Sequence, residues 1–272
     1  MLLKDQVALV TGAGRGWGQS IALAYTRQGA KVVAASRTQS EIDNTVAMIQ
    51  AEGGQAVGFT LDVSSEDSCR RAMDFILEKY GRLDVLVNNA AQLPVKPFAD
   101  FTIDEFTRVL RVNLVGALML TSLALPVMKR QGGGSIINVS SNAGVRPFEN
   151  ESIYCASKYA LEGFTKSLAL EVRGDNIAVN TITPGGLLAG VRIKPTSLTQ
   201  AEYDALPPEE KAKWVDSIVM TEAFVFLARQ RGGGVTGERI LAYEMSERIR
   251  KEGWDLVYER MDDPAAHWEA QR

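Results

Sequence analysis

A tyrosine and a lysine four residues apart, Tyr154 and Lys158, form the pair in this sequence that is best suited to proton transfer. On a helix, side chains at i and i+4 lie on one face, so the phenol and the ammonium would share a space, roughly 6 Å apart along the axis. At an effective dielectric of about 20, a cation at that distance favours phenolate by about 3 kcal/mol, on the order of two pKa units. The spacing predicts a phenol that exchanges protons near neutral pH. The alternative interpretation is a surface pair on an amphipathic helix.

The composition restricts which other side chains can do chemistry. The chain of 272 residues has a single histidine, His267, in a charged C-terminal stretch. The chain therefore lacks the histidines that a His-containing catalytic triad or a His-ligated zinc site would need, apart from this one residue. The two cysteines, Cys69 and Cys155, are too few for a disulfide scaffold or a cysteine-cluster metal site, and they fit a reducing cytoplasm. No metal site is predicted.

Charge and hydropathy count against several classes of partner. A net charge of -3 shows no basic excess, which argues against nucleic acid or an anionic membrane surface. Hydrophobic residues make up 46% of the chain, so a packed globule is expected. No run of about 18 apolar residues occurs, and Lys4 and Asp5 interrupt the apolar start. Neither a membrane span nor a secretory signal is predicted.

A glycine-rich turn follows the first apolar run of the chain. Residues 6–11 are typical of a buried parallel strand, and helical apolar spacing begins at Ser20. The candidate cofactor residues between them are Gly12, Gly14, Arg15, Gly16, Trp17 and Gly18. Glycines let the backbone approach a pyrophosphate, and a helix N-terminus offers free N–H groups and the positive end of its dipole. The turn predicts a dinucleotide site; a turn without a ligand is the alternative.

The end of the second predicted strand, 31–36, bears on the choice of cofactor. Ser36 and Arg37 stand where a NAD-selective site would place an acid about twenty residues after the turn. Arg37 would instead attract a 2′-phosphate, and Arg15 could add a second cation. These residues favour NADP(H) over NAD(H), unless the arginines are simply solvated.

Strand and helix patterns alternate along the chain, with helices predicted near 40–52, over 66–80 with a stop at Gly81, and over 218–230, and a last strand over 239–243. This alternation predicts an α/β fold with a single doubly wound, Rossmann-type parallel sheet flanked by helices. Ligands of such sheets bind beyond the carboxyl ends of the strands. The third strand ends at Asp62 and Val63, where the carboxylate could accept from an adenine amino group or cap the next helix. The fourth strand leads into Asn89 and Ala90.

Two polar residues lie further along the same pattern. Asn113 is an amide within the apolar series of a long helical stretch, 102–130. Both a structural hydrogen bond and a role in holding an active-site water are open for it. Ser141 follows a strand over 135–140 and precedes Tyr154 by thirteen residues.

In their order and spacing, these motifs resemble the short-chain dehydrogenase/reductase family over about residues 5–242. The matching motifs are Thr-Gly-x-x-x-Gly-x-Gly at 11–18, Asp62, Asn88-Asn89-Ala90, Asn113, Ser141, Tyr154-x-x-x-Lys158 and Pro184-Gly185. The resemblance implies an NAD(P)H-dependent oxidoreductase that interconverts a ketone or aldehyde and an alcohol. It also implies a homotetramer or homodimer built on the long helices near 102–130 and 153–173.

The resemblance further implies a role for each site residue. Tyr154 would donate a proton to the substrate oxygen, and Ser141 would hold that oxygen. Lys158 would lower the pKa of the phenol and bind the nicotinamide ribose, and Asn113 would hold a water that links Lys158 to solvent. The cofactor would also contact Tyr154, Pro184 and Gly185.

Three departures from the family pattern qualify this expectation. Ala91 replaces a usual glycine, Ala189 replaces a usual threonine, and Ala242-Tyr243-Glu244 replaces a glycine-rich strand end. They keep open a second hypothesis, a cofactor-binding protein with little or no turnover.

The C-terminal half has a less regular pattern. A catalytic domain over 1–243 is expected, with a substrate lid at about 186–215, and then a helical or irregular extension over 244–272. Apolar residues of the extension need cover, which predicts packing on a neighbouring subunit or at the pocket mouth.

Overall fold

A computed structural model describes residues 1–183, 192–193, 203, 205–212 and 214–271. In chain order, the strands of the described part are β1 Val7–Thr11, β2 Lys31–Ser36, β3 Gln55–Thr60, β4 Val85–Asn88, β5 Gly134–Val139, β6 Ile177–Thr183, β7 Arg192–Ile193, β8 Trp214–Val215 and β9 Arg239–Leu241. The short strands β7 and β8 pair with each other in parallel. They lie in the segment predicted as the lid.

The helices match most of the predicted ones in position. In chain order they are α1 Gly16–Arg27, α2 Gln39–Ala51, α3 Glu66–Tyr80, α4 Ile103–Leu110, α5 Gly116–Arg130, α6 Ser152–Val172, α7 Pro208–Lys211, α8 Thr221–Ala228 and α9 Ala242–Glu252. A π-helical turn, Arg111–Val115, joins α4 to α5. Short 3-10 turns occupy Phe98–Asp100, Asn142–Gly144, Arg173–Asp175, Ser217–Met220 and Pro264–Gln271.

Seven parallel strands form one sheet in the order β3-β2-β1-β4-β5-β6-β9. The order runs one way from β1 to β3 and the other way from β4 to β9, so the loops that follow β1 and β4 diverge. Such a reversal opens a crevice at the carboxyl edge of the sheet. The predicted doubly wound, Rossmann-type sheet is confirmed.

The two faces of the sheet bury alternate residues of each strand. Ala8 and Val10 face a core cluster that includes residues of α1, α8 and α9, whereas Val7 and Leu9 face a cluster that includes residues of α3, α5 and α6. This alternation follows from the two-residue period of a strand. The strands are apolar on both sides because helices cover both faces.

The last strand is shorter than the sequence predicts. We expected a strand over 239–243, but β9 ends at Leu241 and α9 begins at Ala242. Met245 and Ile249 of that helix are buried in the core, and their spacing is that of one helical face. Side-chain burial against α8 therefore favours helix directly after Leu241.

The helical stretch Ile103–Arg130 is long and apolar enough, by length and composition alone, to cross a membrane, since an 18-residue window within it has a mean hydropathy of 1.6. The average over this window is high although polar residues interrupt every long apolar run. Its buried residues, among them Leu120 and Ala124, belong to the core beneath the sheet. In this structure the stretch packs as a core helix.

Candidate active site

The glycine-rich turn after β1 is shaped by backbone contacts that leave no room for a side chain. Gly12 has a φ of +67, and a Cβ on Gly18 would lie 2.2 Å from the carbonyl oxygen of Gly12. The turn runs into the N-terminus of α1, which starts at Gly16. This close packing brings free backbone N–H groups to the carboxyl edge of the sheet, as an anion site requires.

Thr11 ties the glycine turn to the loop after β4. Its Oγ1 accepts hydrogen bonds from the backbone N–H groups of Asn89, at 2.9 Å, and Ala90, at 3.0 Å. The Asn89 side chain in turn donates to the Thr11 carbonyl at 2.8 Å. These bonds hold the two diverging loops together at the floor of the crevice.

A cavity of about 270 Å³ opens between these loops. The predicted cofactor residues that line it are Gly12, Gly14, Arg15, Trp17, Ser36, Arg37, Asp62, Val63, Asn89 and Ala90. Other lining residues are Thr38, Glu41, Leu61, Ala91, Gln92 and Val112. Gly16 and Gly18 are not among the lining residues and shape the turn instead. The cavity brings together side chains from the ends of β1, β2, β3 and β4.

The charges at one end of the cavity are mixed in sign. The Arg15 guanidinium lies 3.9 Å from the Glu41 carboxylate, and Arg37 is exposed at the cavity rim. Burial acts to raise the pKa of Asp62, but hydrogen bonds from Ser64 and the charge of Arg37 outweigh it and hold that pKa below its ordinary value. Two cations therefore face two carboxylates at this end.

Trp17 forms part of the cavity wall and of the core at once. Its ring meets Phe224 edge to face at 5.4 Å. Its indole Nε1 is buried and has no hydrogen-bond partner in the described part of the chain. The close-packed glycines and the free N–H groups of the turn, which border this cavity, indicate that the residues present fit a dinucleotide.

Ser141, Tyr154 and Lys158 meet beyond the carboxyl end of β5. The Lys158 ammonium donates to the carbonyl oxygen of Val139 at 2.7 Å and lies 5.5 Å from the centre of the Tyr154 ring. The Tyr154 phenol is hydrogen-bonded to the Ser141 hydroxyl. The Ser141 hydroxyl also accepts from the N–H of Ala143 at 3.2 Å. Tyr154 and Lys158 therefore share a helix face that is turned toward the carboxyl end of β5, and neither is among the residues that line the cavity.

The predicted acidity of the Tyr154 phenol is wrong for this structure. Burial raises its pKa above the ordinary value of 10.0, and the hydrogen bond with Ser141 only partly opposes this effect. Burial also lowers the pKa of Lys158 to about 8, partly opposed by the Glu162 carboxylate. The spacing of the two residues reports the attraction between their charges, but it does not report their burial, which disfavours the charged form of each.

Asn113 links the cavity to the helix that carries Tyr154. Its side-chain amide exchanges two hydrogen bonds with the backbone of Gln92, at 2.7 and 2.8 Å, and donates to the Ser157 hydroxyl at 3.2 Å. Ser157 donates to the carbonyl oxygen of Tyr154 at 2.7 Å. Asn113 lies in the π-helical turn, a feature often found at functional sites. The structural hydrogen bond that the sequence left open is present.

Of the lining residues that were not predicted as cofactor contacts, Glu41 and Gln92 make polar contacts within the site. Glu41 is one of several acids on a polar helix, and only the packing of α2 against the glycine turn places it in the cavity. Gln92 contributes its backbone to Asn113, and a backbone contact leaves no signal in the residue type. Pro184, Gly185 and Ala189 lie outside the described residues, as does most of the predicted lid.

Comparisons with known proteins agree with this geometry. The short chain dehydrogenase family profile matches residues 6–197. A 3-oxoacyl-acyl-carrier-protein reductase of Thermotoga maritima is 32% identical over 247 residues, covering 88% of this chain and 97% of the relative. A crystal structure of a hydroxysteroid dehydrogenase from Escherichia coli superposes with a TM-score of 0.75 at 30% identity, covering 88% of this chain and 95% of that one. A variant of the actinorhodin polyketide ketoreductase solved with NADPH has a TM-score of 0.75 at 27% identity, covering 87% and 95%.

The profile match covers more than half of the chain and includes the glycine turn, Ser141, Tyr154 and Lys158. The curated relative named above spans nearly its own full length in the alignment. The chain therefore belongs to the short-chain dehydrogenase/reductase family and is an NAD(P)-dependent oxidoreductase that acts on a carbonyl/alcohol pair.

Proposed function

We propose that this enzyme uses NADP(H) in preference to NAD(H), and that Tyr154 is the general acid/base of its reaction. The observation that carries the role of Tyr154 is its contact with Ser141, with the Lys158 ammonium 5.5 Å from the phenol ring. These three side chains lie beside the cavity that fits a dinucleotide. A bound nicotinamide cofactor supplies the hydride.

Side chains of this enzyme position the substrate, transfer the proton and stabilise the resulting charge. Ser141 positions the substrate oxygen against the Tyr154 phenol, which donates a proton to it during reduction and removes one during oxidation. The Lys158 ammonium offers positive charge to the phenolate that proton donation leaves behind. Because Lys158 is buried and Tyr154 is half-buried, this attraction is screened less than it would be in water.

Asn113 is proposed to hold the loop after β4 against α6, which carries Tyr154. Its bonds to Gln92 and Ser157 use the oxygen and both hydrogens of its amide. A water that links Lys158 to solvent would then be held by the backbone around Asn113. Pro184 and Gly185 are proposed to contact the cofactor on the family pattern.

The cofactor preference rests on Arg37 and on the absence of an acid at the end of β2. Arg37 lies at the cavity rim next to Ser36, where a 2′-phosphate could bind both side chains. Glu41 lies close to Arg15 and reduces the positive charge available there. The preference for NADP(H) is therefore assigned mainly to Arg37.

The substrate is proposed to be a moderately hydrophobic ketone or secondary alcohol. Leu93 is 50% exposed near the crevice, and Phe148 is half-buried with the Arg146 guanidinium 4.5 Å from its ring. Apolar and aromatic walls of this kind favour an apolar substrate body. The relatives named above are, by name, a 3-oxoacyl-acyl-carrier-protein reductase, a hydroxysteroid dehydrogenase and a polyketide ketoreductase.

The chain is proposed to assemble as a homotetramer or homodimer through α4, α5 and α6. Ile103 and Leu170 on these helices are 73% and 76% exposed, and apolar side chains of that size gain from cover in an oligomer. Cys69 and Cys155 are both free, which supports the proposed cytoplasmic location. The division into a catalytic domain, 1–243, and an extension, 244–272, is kept as part of the proposal.

Two measurements on the purified enzyme test this function against the alternative of binding without turnover. NADPH fluorescence would be titrated with protein, and NADPH oxidation would be followed with a panel of ketones and aldehydes. The proposal expects saturable binding and turnover of at least one apolar carbonyl compound. Saturable binding with no turnover across the panel would favour the alternative.

A further inference from the structure

A buried ion-pair cluster lies behind the candidate active site. Arg239, at the start of the edge strand β9, forms ion pairs with Glu162 and with Asp263, the latter at 2.6 Å. The side chains of Arg239, Glu162 and Asp263 are only 9%, 7% and 11% exposed. Charges removed from water to this extent require partners of defined geometry.

Arg239 also contacts the loop that follows β5 and carries Ser141, referred to below as the catalytic loop. One guanidinium nitrogen donates to the carbonyl oxygen of Ser141 at 3.1 Å, and another donates to the Ser140 hydroxyl at 3.4 Å. The planar guanidinium is well suited to this arrangement, because its five N–H groups point in fixed directions. The position of the Ser141 main chain is thus coupled to the orientation of one side chain.

Glu162 joins the same cluster to Lys158. The two residues stand four apart on α6 and therefore share a helix face. The second carboxylate oxygen of Glu162 accepts from the Thr181 hydroxyl at 2.8 Å. The Glu162 charge also supports the protonated form of Lys158.

The third member of the cluster belongs to the C-terminal tail, residues 253–271. Asp263 accepts from the N–H of Ala265 at 2.9 Å and so caps the 3-10 turn Pro264–Gln271. A second ion pair, Arg260 with Glu238 at 2.9 Å, fastens the tail beside β9. Trp254, Leu256, Tyr258 and Met261 pack against this chain's own core. The tail therefore reaches the catalytic loop from the far side of the sheet edge.

We propose that Arg239 is a positioning residue for Ser141, and that Asp263 of the tail holds its guanidinium in the orientation that does so. The inference rests on the proposed function, in which Ser141 orients the substrate oxygen. Without Asp263, the guanidinium is pulled toward Glu162 alone, and its bond to the Ser141 carbonyl is released. The tail then acts as part of the active-site support rather than as an appendage.

The substitution Asp263→Asn tests this inference with a neighbouring control. Asn keeps the size and the cap to Ala265 but removes the charge that orients Arg239. We expect kcat for a carbonyl substrate to fall by about tenfold, since small misplacements of a reacting group have effects of this order. The Kd for NADPH should change little, whereas the melting temperature should fall because the buried guanidinium loses one of its two carboxylate partners, so kcat is compared well below the melting temperature of the variant. Asp262→Asn is the matched control, because Asp262 is 81% exposed and pairs with His267.

Two further variants separate positioning from loss of structure. Asp263→Glu restores the charge and should recover most of the lost kcat. Arg239→Lys keeps the positive charge but lacks the planar guanidinium with its several donors, so it should lose kcat as Asp263→Asn does. Wild-type kcat in Asp263→Asn, or a loss that Asp263→Glu does not restore, would overturn the inference. A wild-type enzyme that turns over no carbonyl substrate would instead overturn the proposed function and, with it, the role given to Arg239.

Discussion

The Lys158 ammonium lies 5.5 Å from the centre of the Tyr154 ring, fixed there by its 2.7 Å bond to the carbonyl oxygen of Val139. Both side chains are partly or fully withdrawn from water, so each resists its charged form. In the proposed reaction the pair would therefore share charge during proton transfer rather than keep a phenolate at rest. This arrangement has a consequence for stability that can be measured.

Replacing Lys158 should change how stability depends on pH. Burial lowers its pKa from 10.5 to about 8, so between those values the unfolded chain holds a proton that the folded chain has released. Unfolding then takes up protons, and stability rises with pH across this window. Relative to Lys158→Met, the wild type should gain about 2–3 kcal/mol from about pH 7 to about pH 10.

Denaturant unfolding of the cofactor-free enzyme at several pH values measures this difference. Lys166→Met, on the exposed face of α6, is the control and should follow the wild type. If the free energy of unfolding changed with pH in the same way for Lys158→Met and the wild type, burial of the ammonium would carry no free-energy cost, contrary to this prediction.

Adding a methyl group at Gly18 should weaken cofactor binding. The new Cβ would lie 2.2 Å from the Gly12 carbonyl oxygen, so the turn and the start of α1 must separate. We expect the Kd for NADPH in Gly18→Ala to rise at least about tenfold, or about 1.4 kcal/mol. Gly163→Ala is the control, because a Cβ there meets nothing within 4 Å. Fluorescence titration checks both variants, and equal affinity in Gly18→Ala would show that the turn does not hold the cofactor.

Substitutions of Arg37 and Glu41, two charged residues near Ser36, should shift the cofactor preference in opposite directions. Arg37→Asp should shift the ratio of kcat/KM values toward NADH, because a carboxylate repels a 2′-phosphate. Glu41→Gln should shift it toward NADPH by about three- to tenfold, because Arg15 loses a neighbouring carboxylate. Asp43→Asn, exposed on the same helix, should leave the ratio unchanged. A ratio that is insensitive to Arg37 would place 2′-phosphate recognition elsewhere.

Truncating Asn113 should destabilise the fold as well as the site. Asn113→Ala leaves the backbone N–H and C=O of Gln92 without their partners in the described structure, and a buried unpaired polar group costs about 1–3 kcal/mol. The free energy of unfolding should fall by an amount of that order. Asn44→Ala, exposed on α2, should be close to neutral. No loss for Asn113→Ala would mean that water replaces the amide without cost.

Much of the fold could be predicted because local patterns determine it. The α3 helix has the predicted bounds, since Ser65 caps its start and Gly81 ends it in the left-handed conformation. The cavity residues were found because polar side chains at the ends of parallel strands meet at one edge. The boundary at Leu241 and Ala242 was missed, because a short apolar run is compatible with strand and helix alike.

Other features depend on contacts between residues that are far apart in the sequence, which no local sequence pattern reports. Arg239 stands 77 residues from Glu162 and 24 from Asp263 along the chain, so only the completed sheet brings them together. The shifted pKa values of Tyr154 and Lys158 depend on burial, which spacing does not report. The orientation of Glu41 depends on how α2 packs against the glycine turn.

Proton exchange between Tyr154 and the substrate oxygen is tested most directly by turnover of Tyr154→Phe with NADPH and a reactive ketone. The variant should lose at least about a hundredfold in kcat, with the Kd for NADPH unchanged. Tyr159→Phe, five residues on and 44% exposed, should keep wild-type turnover. Wild-type kcat in Tyr154→Phe would contradict the assignment of the general acid/base.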